Sequence, residues 1–200
     1  MQTEIEAKFI NVDPDTIRTQ LNSLGAILVH PERLMRRRTF DFADTRLNQT
    51  GSWARVRDEG DKITMSFKQN KDDTLHGTVE INLSVDDFDT AADFLKALGL
   101  VQKSYQETKR EAWLVGGAEI TIDTWPWIAP FVEIEGHSEQ AVRAAATKLG
   151  FDWAEAMHGS VTPVYQLDYD VTAAEVNGWE TITFEPVPAW LEQRRKPRHG

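Results

Sequence analysis

The chain has 200 residues, 40% hydrophobic and 27% charged, with a formal net charge of −10 and no cysteine. One large domain fits that length. The charge excludes non-specific binding to nucleic-acid polymers or anionic membranes, and the missing cysteine excludes disulfides, thiolate zinc sites and thiol nucleophiles. No run of about 18 apolar residues offers a transmembrane helix, and a strand pattern that begins by Glu4 leaves no room for a signal peptide, so a cytoplasmic protein, monomer or homodimer, is expected.

In chain order, a strand is predicted over residues 4–10 and an amphipathic helix over 13–24, with Asp13 as cap and Ile17, Leu21 and Leu24 on one face. Strands follow over 36–42, 53–58, 62–69 and 77–83, the Glu59-Gly60-Asp61 turn separating two of them. A second helix is predicted over 86–98, strands over 106–115, 119–124 and 131–136, and a third helix from Ser138 to Leu149. Each helix ends in Leu-Gly, at Gly25, Gly99 and Gly150, as expected of glycine closing a helix in the left-handed conformation. A short strand over 181–184 ends a single domain of residues 1–184. Residues 185–200, with three prolines and the run Arg194-Arg195-Lys196, read as a mobile polar tail.

Alternation along the strands carries the functional signal, because successive side chains point to opposite faces. Glu4, Glu6 and Lys8 oppose Ile5, Ala7 and Phe9; Arg55 and Arg57 oppose Ala54 and Val56. Lys62, Thr64, Ser66 and Lys68 share a face, as do Thr78, Glu80 and Asn82, then Glu119, Thr121 and Asp123, then Glu133 and Glu135. A sheet with one solvated face would account for the alternation alone. Paired like charges such as Glu4/Glu6, Glu133/Glu135 and Arg55/Arg57 favour another arrangement, since they repel unless a ligand or counter-ion compensates. About eight strands suffice to curl a sheet into a barrel with its polar faces inward. Carboxylates then suit Mg²⁺ or Mn²⁺, and guanidinium and ammonium groups suit the phosphates that such ions accompany.

Other constellations are poor. The five histidines show no metal-ligand spacing, and neither a P-loop nor a G-x-S-x-G motif is present. Trp125-Pro126-Trp127, between two acidic strands, reads as a loop packed over the rim, with a lid or substrate platform as the alternative.

Glu4-Ile5-Glu6-Ala7-Lys8 resembles the N-terminal E-x-E-x-K signature of the CYTH superfamily, the triphosphate tunnel metalloenzymes. Further similar segments follow in order: Ala54-Arg55-Val56-Arg57, Met65-Ser66-Phe67-Lys68, Val79-Glu80-Ile81, Lys109-Arg110, Ile122-Asp123 and Phe131-Val132-Glu133-Ile134-Glu135. The resemblance implies an α+β fold, an eight-stranded antiparallel β-barrel with helices outside. It implies a small-molecule triphosphate as partner and Mg²⁺ or Mn²⁺ as cofactor. By position, Glu4, Glu6, Glu80, Asp123, Glu133 and Glu135 become metal-side residues, and Lys8, Arg55, Arg57, Lys68 and Arg110 phosphate ligands, with Lys8 and Glu6 as the catalytic pair. Arg36 and Arg38 join the phosphate set from alternation alone. The implied activity is hydrolysis of inorganic tripolyphosphate or of a nucleoside or thiamine triphosphate. A class IV adenylyl cyclase and a non-catalytic polyphosphate- or nucleotide-binding module are the alternatives.

Overall fold

The computed structural model describes residues 2–72 and 74–197. Ten strands form one curled sheet: β1 (Gln2–Thr3), β2 (Glu6–Phe9), β3 (Ile27–Phe42), β4 (Ser52–Asp58), β5 (Ile63–Asn70), β6 (Thr78–Val85), β7 (Leu100–Val115), β8 (Ala118–Thr124), β9 (Phe131–Gly136) and β10 (Thr181–Ile182). The order is β1-β6-β5-β4-β3-β7-β8-β9-β2, antiparallel throughout, with β10 added parallel to β7. β1 and β2 stand at opposite ends of this order, although only Glu4 and Ile5 separate them in the chain. Gln2 is opposite Glu80 and Glu6 opposite Glu135; between them Glu4 N donates to Thr78 O at 3.0 Å and Gly136 N donates to Ile5 O at 3.1 Å. The N-terminal segment is thus hydrogen-bonded to both β6 and β9.

The expected helices form where their caps require. α1 (Pro14–Ser23) starts at Asp13, which accepts from Thr16 N at 3.0 Å; α2 (Phe88–Ala97) starts at Asp87, and α3 (Glu139–Lys148) at Ser138. Gly25, Gly99 and Gly150 end them with φ of +68°, +92° and +75°. The helices cover the outer sheet face in two cores. α1 and α3 bury Ile17, Leu21, Val142 and Ala145 against Ala7, Ile120, Val132 and Ile134, while α2 buries Phe88, Ala92 and Leu95 against Phe40, Ala54 and Val56.

Two strands are longer than predicted. β3 begins at Ile27, nine residues before the predicted start, because irregular pairing around His30-Pro31-Glu32 breaks the period of two that marks a strand in sequence. β7 likewise begins at Leu100.

The mobile tail is corrected. Residues 161–192 add α4 (Thr162–Asp168), α5 (Ala173–Asn177) and α6 (Ala189–Glu192), which build a third core around the fully buried Tyr165, Tyr169 and Leu191. Arg194 pairs with Glu175 at 2.7 Å, Arg195 Nη2 donates to Tyr169 Oη at 2.5 Å, and Lys196 Nζ donates to Gln166 O at 2.7 Å. The basic run is therefore a set of clips; the last three residues of the expected tail lie outside the described residues. A four-residue helix shows no hydrophobic period, so only its tertiary partners reveal it. None of the described helices is long and apolar enough to cross a membrane.

A packed tail makes Leu191→Ala costly. We expect a loss of about 2–5 kcal/mol in chemical denaturation; an unchanged midpoint would restore the picture of a free tail.

Candidate functional site

Side chains from the inner face line a cavity of about 550 Å³. Each strand contributes at every second residue: Glu4, Glu6 and Lys8 from the N-terminal segment, Arg33 and Arg37 from β3, Arg55 and Arg57 from β4, Lys68 from β5 and Glu80 from β6. Arg110 from β7, Glu119 from β8 and Glu133 and Glu135 from β9 complete the charged lining.

Most of these charges meet an opposite charge. Lys8, only 4% exposed, donates from Nζ to Glu6 Oε1 at 2.9 Å and to Gly159 O at 2.6 Å, and lies 2.9 Å from Glu133 Oε1. Burial works against its charge, but Glu133 and Glu6 outweigh it and hold its pKa above the ordinary lysine value. Arg110 grips Asp123 through two bonds of 2.6 and 2.7 Å and reaches Glu133 Oε2 at 2.6 Å. Although burial disfavours its charge, those two carboxylates keep its pKa well above the usual one. Burial likewise opposes ionisation of Glu133, yet Lys8 and Arg110 hold it well below the usual carboxylate range. Arg55 donates to Glu80 Oε1 at 3.1 Å, and Lys68 Nζ lies 2.7 Å from Glu4 Oε2.

Two carboxyls lack enough compensation. Burial pushes Glu4 up to about 7, with Lys68 opposing and the neighbouring Glu80 reinforcing. Glu135 also rises to about 7, from burial within the lumen and from the neighbouring Glu6, Glu133 and Glu119, although its surface stays open to water. A hard cation prefers such oxygen-only donors, so the donor chemistry of the acidic wall suits a hard divalent cation. Among the described residues no three His, Asp or Glu side chains are arranged to hold an ion.

The basic wall is undersatisfied in a different way. Arg33 Nε, Arg37 Nε and Arg55 Nε are buried with no hydrogen-bond partner, and all three residues line the cavity. Unpaired buried donors cost about 1–3 kcal/mol each. Burial and then Arg57 lower Arg55 to about 10; burial, Arg57 and Arg55 drive Arg37 well below its ordinary value. Four guanidinium groups crowd one wall, with Glu59 (4% exposed) between Arg57 at 2.6 Å and Arg33 at 3.7 Å.

The structure thus gathers Glu4, Glu6, Lys8, Arg55, Arg57, Lys68, Glu80, Arg110, Glu133 and Glu135 around one cavity, as expected. Asp123 sits beneath Arg110 with no exposed surface and does not reach the lining. Arg36 and Arg38 are a correction: both point outward, Arg36 pairing with Asp58 and Arg38 with Asp89 at 2.7 Å, and both lie over the Phe88 ring of α2. The physical reason is register. Arg37 stands opposite Arg57, so it shares the inner face and its neighbours take the outer one. Arg33, Arg37 and Glu59 were missed. Glu59 was legible, as the next alternate position after Arg55 and Arg57, whereas the face of Arg37 needed the strand pairing.

A model of the CYTH domain family matches residues 2–160. Among solved structures, the chain is similar to a proposed adenylate cyclase of Vibrio parahaemolyticus (TM-score 0.72, 16% identity, 82% of this chain and 98% of that one). It is also similar to a conserved hypothetical protein of Pyrococcus furiosus (0.64, 20%, 77% and 94%). A third is a proposed adenylyl cyclase of Hippeastrum, described as having a dominant triphosphatase activity (0.55, 15%, 80% and 91%). No curated protein matches the chain.

The two raised carboxyls impose a pH dependence on the metal-free protein. Glu4 and Glu135 ionise near 7 when folded, against 4.5 for the ordinary group, so in that window the folded chain holds more protons than the unfolded one. Stability from these groups is complete below about 4.5 and is lost as pH rises through about 7. Glu133 and Glu80 act oppositely, their contribution being lost only in more acid solution. In chelator-treated protein we expect the melting temperature to fall from pH 5.5 to pH 8 and Glu135→Gln to flatten that slope. A rise over the same interval would contradict the assignment.

Proposed function

The chain belongs to the CYTH domain family, and from that premise we propose that it is a metal-dependent triphosphatase. The substrate class is inorganic tripolyphosphate or a nucleoside or thiamine triphosphate. The observation that carries the reading is a wall of arginines, Arg33, Arg37, Arg55 and Arg57, lining the same cavity as an acidic wall on which Glu4 and Glu135 are raised to about 7. An oligoanion satisfies the first and its accompanying cation the second. In this reading the N-terminal segment, bonded to both β6 and β9, closes the sheet into a tunnel. The activity described for the Hippeastrum protein is what favours hydrolysis over cyclisation.

Roles follow from geometry. Arg33, Arg37 and Arg55 take phosphate oxygens through their guanidinium groups, and Arg57, Lys68 and Arg110 extend the same wall. Lys8 is held between Glu6, Glu133 and Gly159 O, so its ammonium is fixed in direction and stays charged. Glu6 spends Oε1 on Lys8, which leaves Oε2 to take the proton of the attacking water. Glu4, Glu80 and Glu135, with Glu133, are the residues that would hold divalent metal. When bound, the metal supplies charge neutralisation and polarisation of phosphoryl oxygens. Asp123, committed to Arg110, orients that guanidinium.

Incubation with tripolyphosphate, ATP and thiamine triphosphate plus Mg²⁺ or Mn²⁺ tests the proposal. We expect inorganic phosphate, abolished by chelator; cyclic nucleotide with pyrophosphate would make the chain a cyclase, and binding without turnover a binding module. A second test separates the two faces of β3. Arg37→Ala is expected to weaken triphosphate binding about 10- to 100-fold, and Arg36→Ala to leave it within about twofold, since a surface change rarely exceeds about 0.5 kcal/mol. The reverse ranking would invert the face assignment.

A further inference from the structure

We infer that residues 161–197, beyond the family match, form a positioning clamp that sets Arg37 through Trp125. The inference rests on the reading of Arg37 as a phosphate ligand.

Among the described residues, the buried cations are Lys8, Arg37 and Arg55, and Arg37 is the one without a carboxylate partner. Two contacts hold it instead: Nη2 donates to Thr108 Oγ1 at 2.5 Å, and the guanidinium lies 4.6 Å from the centre of the Trp125 ring. A ring face attracts the cation without satisfying its N–H groups, so charge and donors remain for an anion. A carboxylate in the same place would neutralise both. Burial and neighbouring arginines disfavour the charge here, which makes the ring contact more consequential.

Trp125 does not hold itself in place. It opens a loop in which Trp127 has φ of +71°, a conformation costing a side-chain-bearing residue about 1–3 kcal/mol and persisting where surroundings over-determine it. The surroundings are C-terminal. Tyr165 Oη donates to Pro126 O at 3.0 Å, Tyr169 Oη donates to Trp127 O at 2.7 Å, and Trp127 Nε1 donates to Glu185 O at 2.9 Å. The Tyr165 ring stands edge-on to Trp125, at 6.5 Å and 86°. Arg195 in turn donates to Tyr169 Oη, so the end of the chain braces the tyrosine that braces the loop. Trp125, Tyr165 and Tyr169 are therefore positioning residues.

A double-mutant cycle read by calorimetric binding of tripolyphosphate with Mg²⁺ tests this. Trp125→Leu should weaken binding about 5- to 30-fold in the native background, the range of a partly to fully desolvated cation–π contact. It should have no further effect beyond twofold in Arg37→Met, because the residue it positions is gone. Trp125→Phe keeps a ring face and should restore most of the affinity, and Tyr169→Phe should weaken binding with the same dependence on Arg37. If Trp125→Leu does not fold, Tyr169→Phe, which removes a single hydroxyl, replaces it in the cycle. Equal losses in both backgrounds would mean that Trp125 and Tyr169 merely hold the fold, and the inference would fall alone. A native chain that does not bind tripolyphosphate would overturn the functional reading, and the inference with it.

Discussion

Charge turned inward on a curled sheet is the constraint on which the rest of this structure depends. Alternate positions of eight strand segments send Lys, Arg, Glu and Asp into one cavity, where water cannot screen them as it would on a surface. Such charges persist only if each finds an opposite charge, a hydrogen bond or a ligand. The chain supplies pairs for most: Lys8 with Glu6 and Glu133, Arg55 with Glu80, Lys68 with Glu4, Arg110 with Asp123. It leaves a remainder on both walls, guanidinium N–H groups on one and, on the other, carboxyls that stay raised to about 7, Glu4 in spite of Lys68 and Glu135 beside three other carboxylates. That remainder is what a phosphate–metal ligand would complete, and it gives the acidic and basic sets a common explanation.

The outer faces answer the same constraint in apolar terms. Because every second side chain points inward, the alternate ones face outward, and α1, α2 and α3 bury many of them in two separate cores. Even the outward arginines of β3 are absorbed there, Arg36 and Arg38 lying over Phe88 instead of standing free. Burial of Glu111 between Arg18 and Trp113 Nε1 repeats the pattern of a charge admitted only with its partners.

Beyond residue 160 the architecture changes character. The third core is aromatic, with Tyr165 edge-on to both Trp125 and Trp179, and Trp179 against Trp127 and Trp190. Short helices of seven, five and four residues have little intrinsic stability, and it is these rings and the clips from Arg194, Arg195 and Lys196 that order them. Val161, Thr162, Val176 and Ile182 from this region also form part of the cavity wall, so the segment belongs to the site as well as to the scaffold.

Much of this was legible before any tertiary contact was known. A period of two writes the face of a residue directly into the chain, which is why Glu4, Glu6, Lys8, Arg55, Arg57, Lys68, Glu80, Glu133 and Glu135 could be placed together. Capping residues and Leu-Gly endings marked the three long helices for an equally local reason. What sequence alone could not decide was whatever depends on a partner strand or a distant side chain. Irregular pairing in β3 hid its first nine residues, and pairing of Arg37 with Arg57 put Arg37 inside and its neighbours outside. Asp123 shares the inner face yet was taken out of the lining by Arg110, a contact between strands. The last helices carry no periodic signal, and their order comes from aromatic and ionic partners far along the chain. Local geometry is written in local sequence; register and docking are properties of pairs, and only the folded chain brings the pairs together.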